Sequence, residues 1–297
     1  MSGEAGAQAW LDAERANLVA VVVHCASHGW PRHATSLART LFRYLIPRGH
    51  LAEADTVYTH ALQAARQSGD LAAEAAALNG LGGIGVARGR PQAAAEFYRA
   101  ALERYQQCGD REGQATVSLN LGNAEHGLHN LESAASYCRQ AIAAFENTGN
   151  SICVARALCC LSGVETELGS YDQAAGRLDL ALRIFRDAGD QIYEAYALER
   201  IGALHLRGGR LTQAADFYEQ SLGINSRIGN ATGTAGQLNN LGEVSLRQGD
   251  YQQAIGYLRQ ALDQFRQAGN QHGEIVTLRS LAQALREAGP PPPAPNS

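Results

Sequence analysis

The sequence predicts an all-α fold, a stack of antiparallel helix pairs, and three observations carry that prediction. Glycine recurs at positions 29, 69, 109, 149, 189, 229 and 269, so the interval is forty residues each time, with no insertion or deletion. A second glycine column runs through Gly49, Gly89, Gly169, Gly209, Gly249 and Gly289, with His129 as the exception. Between the marks lie helical segments in which small and large residues alternate at fixed spacing. A period of this length is one supersecondary unit that cannot bury its apolar face alone and must stack on its neighbours.

The elements follow in order. Residues 8–28 fit the register of the second helix of a pair in part: Leu18, Val21 and Cys25 fall in its apolar columns, but Glu14 stands where an alanine is expected. Residues 1–30 therefore read as an N-terminal half-repeat or capping helix, and 31–270 as six helix pairs. After each glycine of the first column comes Asp70, Asp110, Asn150, Asp190, Asn230 or Asn270, with Trp30 at the start. That order ends one helix on a left-handed glycine and caps the next with a side-chain oxygen.

The first helix of each pair, helix A, carries Leu41, Leu81, Leu121, Leu161, Ile201, Leu241 and Leu281 as its buried column. Beside it stand Gly82, Gly122, Gly202 and Gly242, with Phe42, Ser162 and Ala282 as departures. The second, helix B, has Ala54, Ala94, Ala134, Ala174, Ala214 and Ala254, and seven residues later Ala61, Ala101, Ala141, Ala181, Ser221 and Ala261. Between these lie Tyr58, Tyr98, Cys138, Leu178, Tyr218 and Leu258. Small residues let paired helices approach and large ones fill the space between them. Residues 271–289 mix apolar positions with Glu274, Arg279, Gln283, Arg286 and Glu287 and read as a C-terminal capping helix. The run PPPPAPNS, 290–297, cannot continue a helix and reads as a disordered tail.

One segment, LNGLGGIGVARG at 78–89, contains GxGxxG at Gly80, Gly82 and Gly85. A dinucleotide-binding turn needs a strand running into it. The preceding GDLAAEAAALN has helical spacing, five alanines and no β-branched residue, so the motif lies inside a helix and no cofactor is expected. Composition narrows the function further. All 25 basic residues are arginine, which removes a Walker A loop, a Schiff-base lysine and a Ser-Lys pair. The formal net charge of −4 gives no footprint for a phosphate backbone, so no direct nucleic-acid partner is expected. The apolar run NLVAVVVHCA, 17–26, is too short to span a bilayer. Six cysteines without CxxC spacing, with Cys25 and Cys138 in core columns, suit a reduced cytoplasmic protein. His24 and His28 lie one turn apart but have no third ligand, so no metal is expected. No constellation for catalysis stands out.

The segments LNGLGGIGVARGRPQAAAEFYRAAL, 78–102, and LNNLGEVSLRQGDYQQAIGYLRQAL, 238–262, resemble the tetratricopeptide repeat family, with its Leu-Gly step in helix A and small-aromatic-small spacing in helix B. The long repeats, with the opening AWLDAERANLVAVV at 9–22, are similar to the C-terminal region of AfsR/SARP-type actinomycete regulators, whose DNA-binding and ATPase domains have no counterpart here. The resemblance implies a right-handed superhelical solenoid whose inner surface is lined by helix A. One lining column is then Arg39, Asn79, Leu119, Cys159, Glu199, Asn239 and Arg279, followed by Thr40, Gly80, Asn120, Cys160, Arg200, Asn240 and Ser280. A turn further come Arg43, Gly83, Asn123, Gly163, Ala203, Glu243 and Gln283.

From these columns and their neighbours the candidate partner-binding residues are Asn79, Asn120, Asn123, Arg156, Tyr196, Arg200, Arg207, Asn239, Asn240, Glu243 and Arg247. Amides offer donor and acceptor to a peptide backbone, and guanidinium forms a fork on a carboxylate. Gly80 and Gly83 are expected to clear the groove floor. Arg99 and Arg139 are expected on the outer face of helix B. The family's lysine-and-asparagine carboxylate clamp is not matched, because lysine is missing. The reading is a non-enzymatic scaffold holding a protein or peptide segment, a regulatory or sensor arm, with a receptor enclosing a small molecule or signal peptide as the alternative.

Overall fold

A computed structural model of the chain describes residues 3–46 and 48–289. The tail at 290–297, expected to be disordered, lies outside the described residues. Fourteen α-helices and no strand occur among the described residues. In order they are α1 (Gly3–Ser27), α2 (Pro31–Leu45), α3 (Leu51–Ser68), α4 (Leu71–Ala87), α5 (Pro91–Cys108), α6 (Arg111–Gly127), α7 (Leu131–Thr148), α8 (Ser151–Glu167), α9 (Tyr171–Asp187), α10 (Gln191–Arg207), α11 (Leu211–Arg227), α12 (Ala231–Gln248), α13 (Tyr251–Gln267) and α14 (Gln271–Ala288). Even-numbered helices are the A helices of the sequence register and odd-numbered ones the B helices. The chain forms two compact units, Met1–Cys160 and Leu161–Ser297, dividing within α8.

Both glycine columns adopt left-handed backbone, with φ between 64° and 83°. His129, the exception, takes the same conformation at φ 59°. The turn therefore dictates the backbone there and histidine bears the strain that glycine avoids. The six predicted caps form: Asp70, Asp110, Asn150, Asp190, Asn230 and Asn270 each accept from a backbone N–H three residues on, at 2.9 to 3.2 Å. Asp250 adds a seventh, accepting from Gln253 at 3.0 Å.

The alanine columns of helix B are buried throughout. Their partners are the helix-A glycines, because a Cβ there would collide with the large column of helix B. Built on Gly82 it would stand 2.8 Å from Tyr98 Cζ, on Gly122 2.8 Å from Cys138 Sγ, and on Gly242 2.6 Å from Leu258 Cγ. The extra glycines of α4 serve the same purpose. Gly80 lies under the ring of Tyr58, and a Cβ on Gly85 would stand 3.2 Å from the backbone of Ala94. The expectation that Gly80 and Gly83 leave an empty floor is thus corrected. Gly80 is covered by a tyrosine, and a Cβ on Gly83 would stand 3.3 Å from Phe42.

Buried and half-buried carboxylates tie the layers of each unit together. Glu74 receives Arg66 at 3.1 Å and Arg104 at 3.2 Å, and the same spacing recurs as Arg186 to Glu194 and Arg266 to Glu274. Glu165 takes both oxygens' bonds from Arg177 Nε at 2.8 Å. Glu125, 3% exposed, pairs with Arg99 and accepts from Asn130 at 2.7 Å. Arg99 is therefore not a free outer-face residue. Cys138 and Cys160 are brought sulfur to sulfur between α7 and α8, Cα to Cα 6.4 Å, a contact that spacing alone does not give. The other four are free, with Cys108 exposed. Finally, α14 carries an exposed apolar stripe, Ile275, Leu278, Ala282 and Leu285, where the sequence reading stressed its polar residues.

Candidate functional site

In the first unit the A helices α2 and α4 and the B helix α3 enclose a cleft of about 200 Å³. Small residues make it: Ala38, Ala61, Ala73, Ala76 and Ala77 leave space that leucines would fill, and Gly80 lines it beneath Tyr58. Phe42, Tyr58 and Tyr105 supply aromatic walls, Thr35 and Asn79 polar edges, and Arg39 and Arg43 two guanidinium groups one helical turn apart. Both arginines are exposed, and neither is in an ion pair among the described residues. No carboxylate lines the cleft. It offers an apolar recess beside unneutralised positive charge.

The tyrosines are fixed and neutral. Tyr58 is buried and donates to the Ala38 carbonyl at 3.0 Å, and its burial raises its pKa. Tyr105 is pushed up to about 12, chiefly by burial, with Asp110 and Cys108 adding and Arg39 opposing. At neutral pH both present O–H rather than phenolate.

The asparagine and glutamate column predicted to face a partner makes bonds between successive A helices. Asn120 Nδ2 donates to Asn79 Oδ1 at 2.8 Å, from α6 to α4. In the second unit Gln237 Nε2 donates to Glu199 at 3.0 Å, from α12 to α10, and Thr277 Oγ1 donates to Asn239 at 3.0 Å, from α14 to α12. Burial raises the pKa of Glu199, while Arg200 and the Gln237 hydrogen bond oppose the shift. Part of the column is thus spent on an internal ladder. Its unused donors, such as the Asn79 amide, remain at the surface of the cleft.

Of the other predicted residues, Asn123 donates to the Leu119 carbonyl at 3.3 Å and Arg156 reaches Cys153 Sγ at 3.9 Å, both within their own helix. Arg200 is adjacent to Glu199, Tyr196 is half-buried on α10, and Arg207 stands 3.9 Å from Glu167. Asn240 donates to Gln237 at 3.3 Å. Arg247 donates to Glu243 at 2.7 Å and to the Leu206 carbonyl at 3.5 Å. The structure brings Asn79 and Asn120 together, and likewise Glu243 and Arg247. Arg39 and Arg43 stand in the same columns but are not among the candidates read from the sequence. The absence of an acidic residue three or four positions away on their helix was the available signal. Among the described residues no group of three or more His, Cys, Asp or Glu side chains is placed to hold a metal, and no helix is long and apolar enough to cross a membrane.

Family models described as tetratricopeptide repeat match residues 86–147, 113–187, 153–227 and 234–294, and a second such model matches 39–107. No curated protein matches the chain in sequence. Among solved structures, NprR in complex with its cognate peptide NprX is similar over 93% of this chain and 90% of that one, with a TM-score of 0.66 and 14% identity. A Rap protein complexed with competence and sporulation factor is similar over 84% and 85%, with a TM-score of 0.65 and 12% identity. A STAND protein with a tetratricopeptide repeat sensor from Pyrococcus horikoshii is similar over 90% of this chain and 40% of that protein, at 0.61 and 17%. At these identities the likeness concerns the fold.

Proposed function

The chain belongs to the tetratricopeptide repeat family, and from that premise we propose that it is a non-catalytic scaffold holding a protein or peptide segment along its A-helix faces. The observation that carries the reading is the cleft of the first unit. Two arginines without acidic partners beside an aromatic recess suit an apolar side chain whose segment also presents a carboxylate. Asn79 and Asn120 then serve the segment's backbone, since amides match its donors and acceptors. Pockets that enclose a small molecule run to roughly 300 Å³ and above. At this cleft a recess of about 200 Å³ therefore supports one side chain of a longer segment, while a second cavity of about 440 Å³ against α5, α6 and α7 has room for the small-molecule alternative. Arg156, Tyr196, Arg200, Arg207, Asn239, Asn240, Glu243 and Arg247 are proposed as further contacts along the A helices.

The similar structures support this reading, because the NprR and Rap proteins are described in complex with a peptide and a factor, and the STAND protein's repeats are described as a sensor. A regulatory role in the cytoplasm, as the similarity to AfsR/SARP-type regulators implies, belongs to the same proposal. Peptide-library selection on the full chain tests it. Selected peptides are expected to lose on the order of tenfold to a hundredfold in affinity on R39A/R43A, as charge-assisted bonds disappear. N79A should give a smaller loss, and R139A, an exposed arginine on α7, should bind like the parent. Equal affinity for the parent and R39A/R43A would remove the cleft from the function.

A further inference from the structure

The two terminal helices leave open the two halves of one repeat. In the pairs α4–α5 and α10–α11 helix A meets its own helix B at defined register positions. Gly82 lies on Tyr98, Gly85 on Ala94, Ser221 donates to the Ala195 carbonyl at 2.8 Å, and Arg210 donates to His205 at 2.8 Å. In α14, a helix A, the equivalents of the helix-A members of these pairs are Ala282, Leu285 and Ile275. Ile275 and Leu285 are 52% and 46% exposed, with Leu278 between them at 42%. In α1, a helix in the B register, the equivalents of the B-side members are Leu18, Glu14, Val21 and Trp10, the last standing where Arg210 caps helix B from the preceding turn. Trp10 is 57% and Val21 48% exposed. The forty-residue register is unbroken across the chain, so α1 lies seven periods before the position of a helix B for α14.

We propose that α14 of one copy receives α1 of a second copy of this chain, head to tail, completing the missing helix pair. The transferred contacts place Ile275 on Val21, Ala282 on Leu18 and Leu285 on Trp10, with the small Ala282 again opposite a larger residue. Ala13 also falls beside Leu285, as Gln253 falls beside Ser245 in the internal pair at 3.4 Å. Glu14 is the departure. It stands where Ala94 lies on Gly85, so the helices stand further apart at that end, and Trp10 is long enough to span the gap. The pairing accounts for the exposure of five large apolar side chains on two helices that the peptide cleft does not use. Burying them together is favourable, and solvent exposure of an apolar stripe of this kind marks an interaction surface. The contact is heterologous, one surface meeting a different one, so it extends into chains or closes into rings rather than stopping at a symmetric dimer.

The heterologous geometry supplies the test. In light scattering on the full chain, mass is expected to rise with concentration for the parent. I275E/L285E and W10E/V21E are each expected to stay monomeric, with self-association weakened by about a hundredfold or more as a charge is placed in the contact. Mixed in equal amounts, the two variants retain one intact junction between them and should form a one-to-one dimer and nothing larger. Far-UV circular dichroism, expected unchanged because all four positions are exposed, checks folding. In a Cys108→Ser background, Ile275→Cys of one chain should crosslink to Val21→Cys of another under mild oxidation, which tests the same junction without introduced charge. A parent that stays monomeric at every concentration overturns the proposal. So does dimerisation of either glutamate variant alone, which would mean a symmetric contact, or failure of both the mixture and the cysteine pair to associate.

Discussion

Replacing Gly80 by alanine is expected to destabilise the first unit although it removes a glycine from the middle of a helix. The exchange by itself favours the helix by about 0.8 to 1 kcal/mol. Against this, the new Cβ would lie inside the van der Waals envelope of the Tyr58 ring, 2.6 Å from Cζ. Tyr58 cannot retreat freely, because it is buried, packs edge-on against Phe42 with centroids 6.0 Å apart, and donates its hydroxyl to Ala38. Overpacking of this kind costs about 1 to 3 kcal/mol. If the ring swings aside instead, the lost buried hydrogen bond costs about 1 to 3 kcal/mol. With the propensity gain subtracted, the net change is a destabilisation of up to about 2 kcal/mol. In a unit of this size that lowers the melting temperature by roughly 2 to 4 °C per kcal/mol. The control is Gly256→Ala on α13, where a Cβ meets nothing within 4 Å and the helix-propensity gain stands alone. Thermal melts of the full chain, followed by far-UV circular dichroism, compare the two. Opposite shifts are expected, and a G80A protein melting at or above the parent would refute the packing argument.

Arg99→Ala should destabilise by about 1 to 3 kcal/mol, because it leaves the buried Glu125 carboxylate without its guanidinium, whereas Arg139→Ala should shift the melt by less than about 0.5 kcal/mol. Equal shifts in a thermal melt would show that the Arg99 pair is not structural. For Glu199, folding raises the carboxyl pKa above its ordinary 4.5, so its contribution favours the folded state at acid pH and is lost as pH rises through the raised value. Glu199→Gln should therefore match the parent most closely in acid and gain on it as pH rises past 4.5, in melting temperatures recorded against pH. A constant difference across that range would mean that the group titrates normally.

Much of the architecture is written in the sequence because it depends on choices made within one repeat. A left-handed turn needs glycine, an N-cap needs a short oxygen-bearing side chain, and a close helix pair needs a small residue opposite a large one. Each recurs every forty residues, so the pattern confirms itself. Even His129 fits, since the turn around it leaves no other backbone. What tertiary structure decided lies between repeats or at their ends. The Asn79 to Asn120 bond joins residues 41 apart, and Glu199 meets Gln237 across 38, distances at which column reading treats each position alone. The Arg66 to Glu74 pair was legible in principle: the two columns read together give Arg with Glu three times, and no Arg faces the other partners, Gln114, Val154 and Thr234. The pairing of Cys138 with Cys160 depends on where two helices put their sulfurs, which spacing does not give. The cleft beside Arg39 and Arg43 arises because alanines on three helices happen to face one another. The sequence determines which helices form and how each turns, through local backbone and capping energetics. Which side chains then meet across layers, and which faces stay open, is settled only when the stacked helices bring distant residues within a few ångströms.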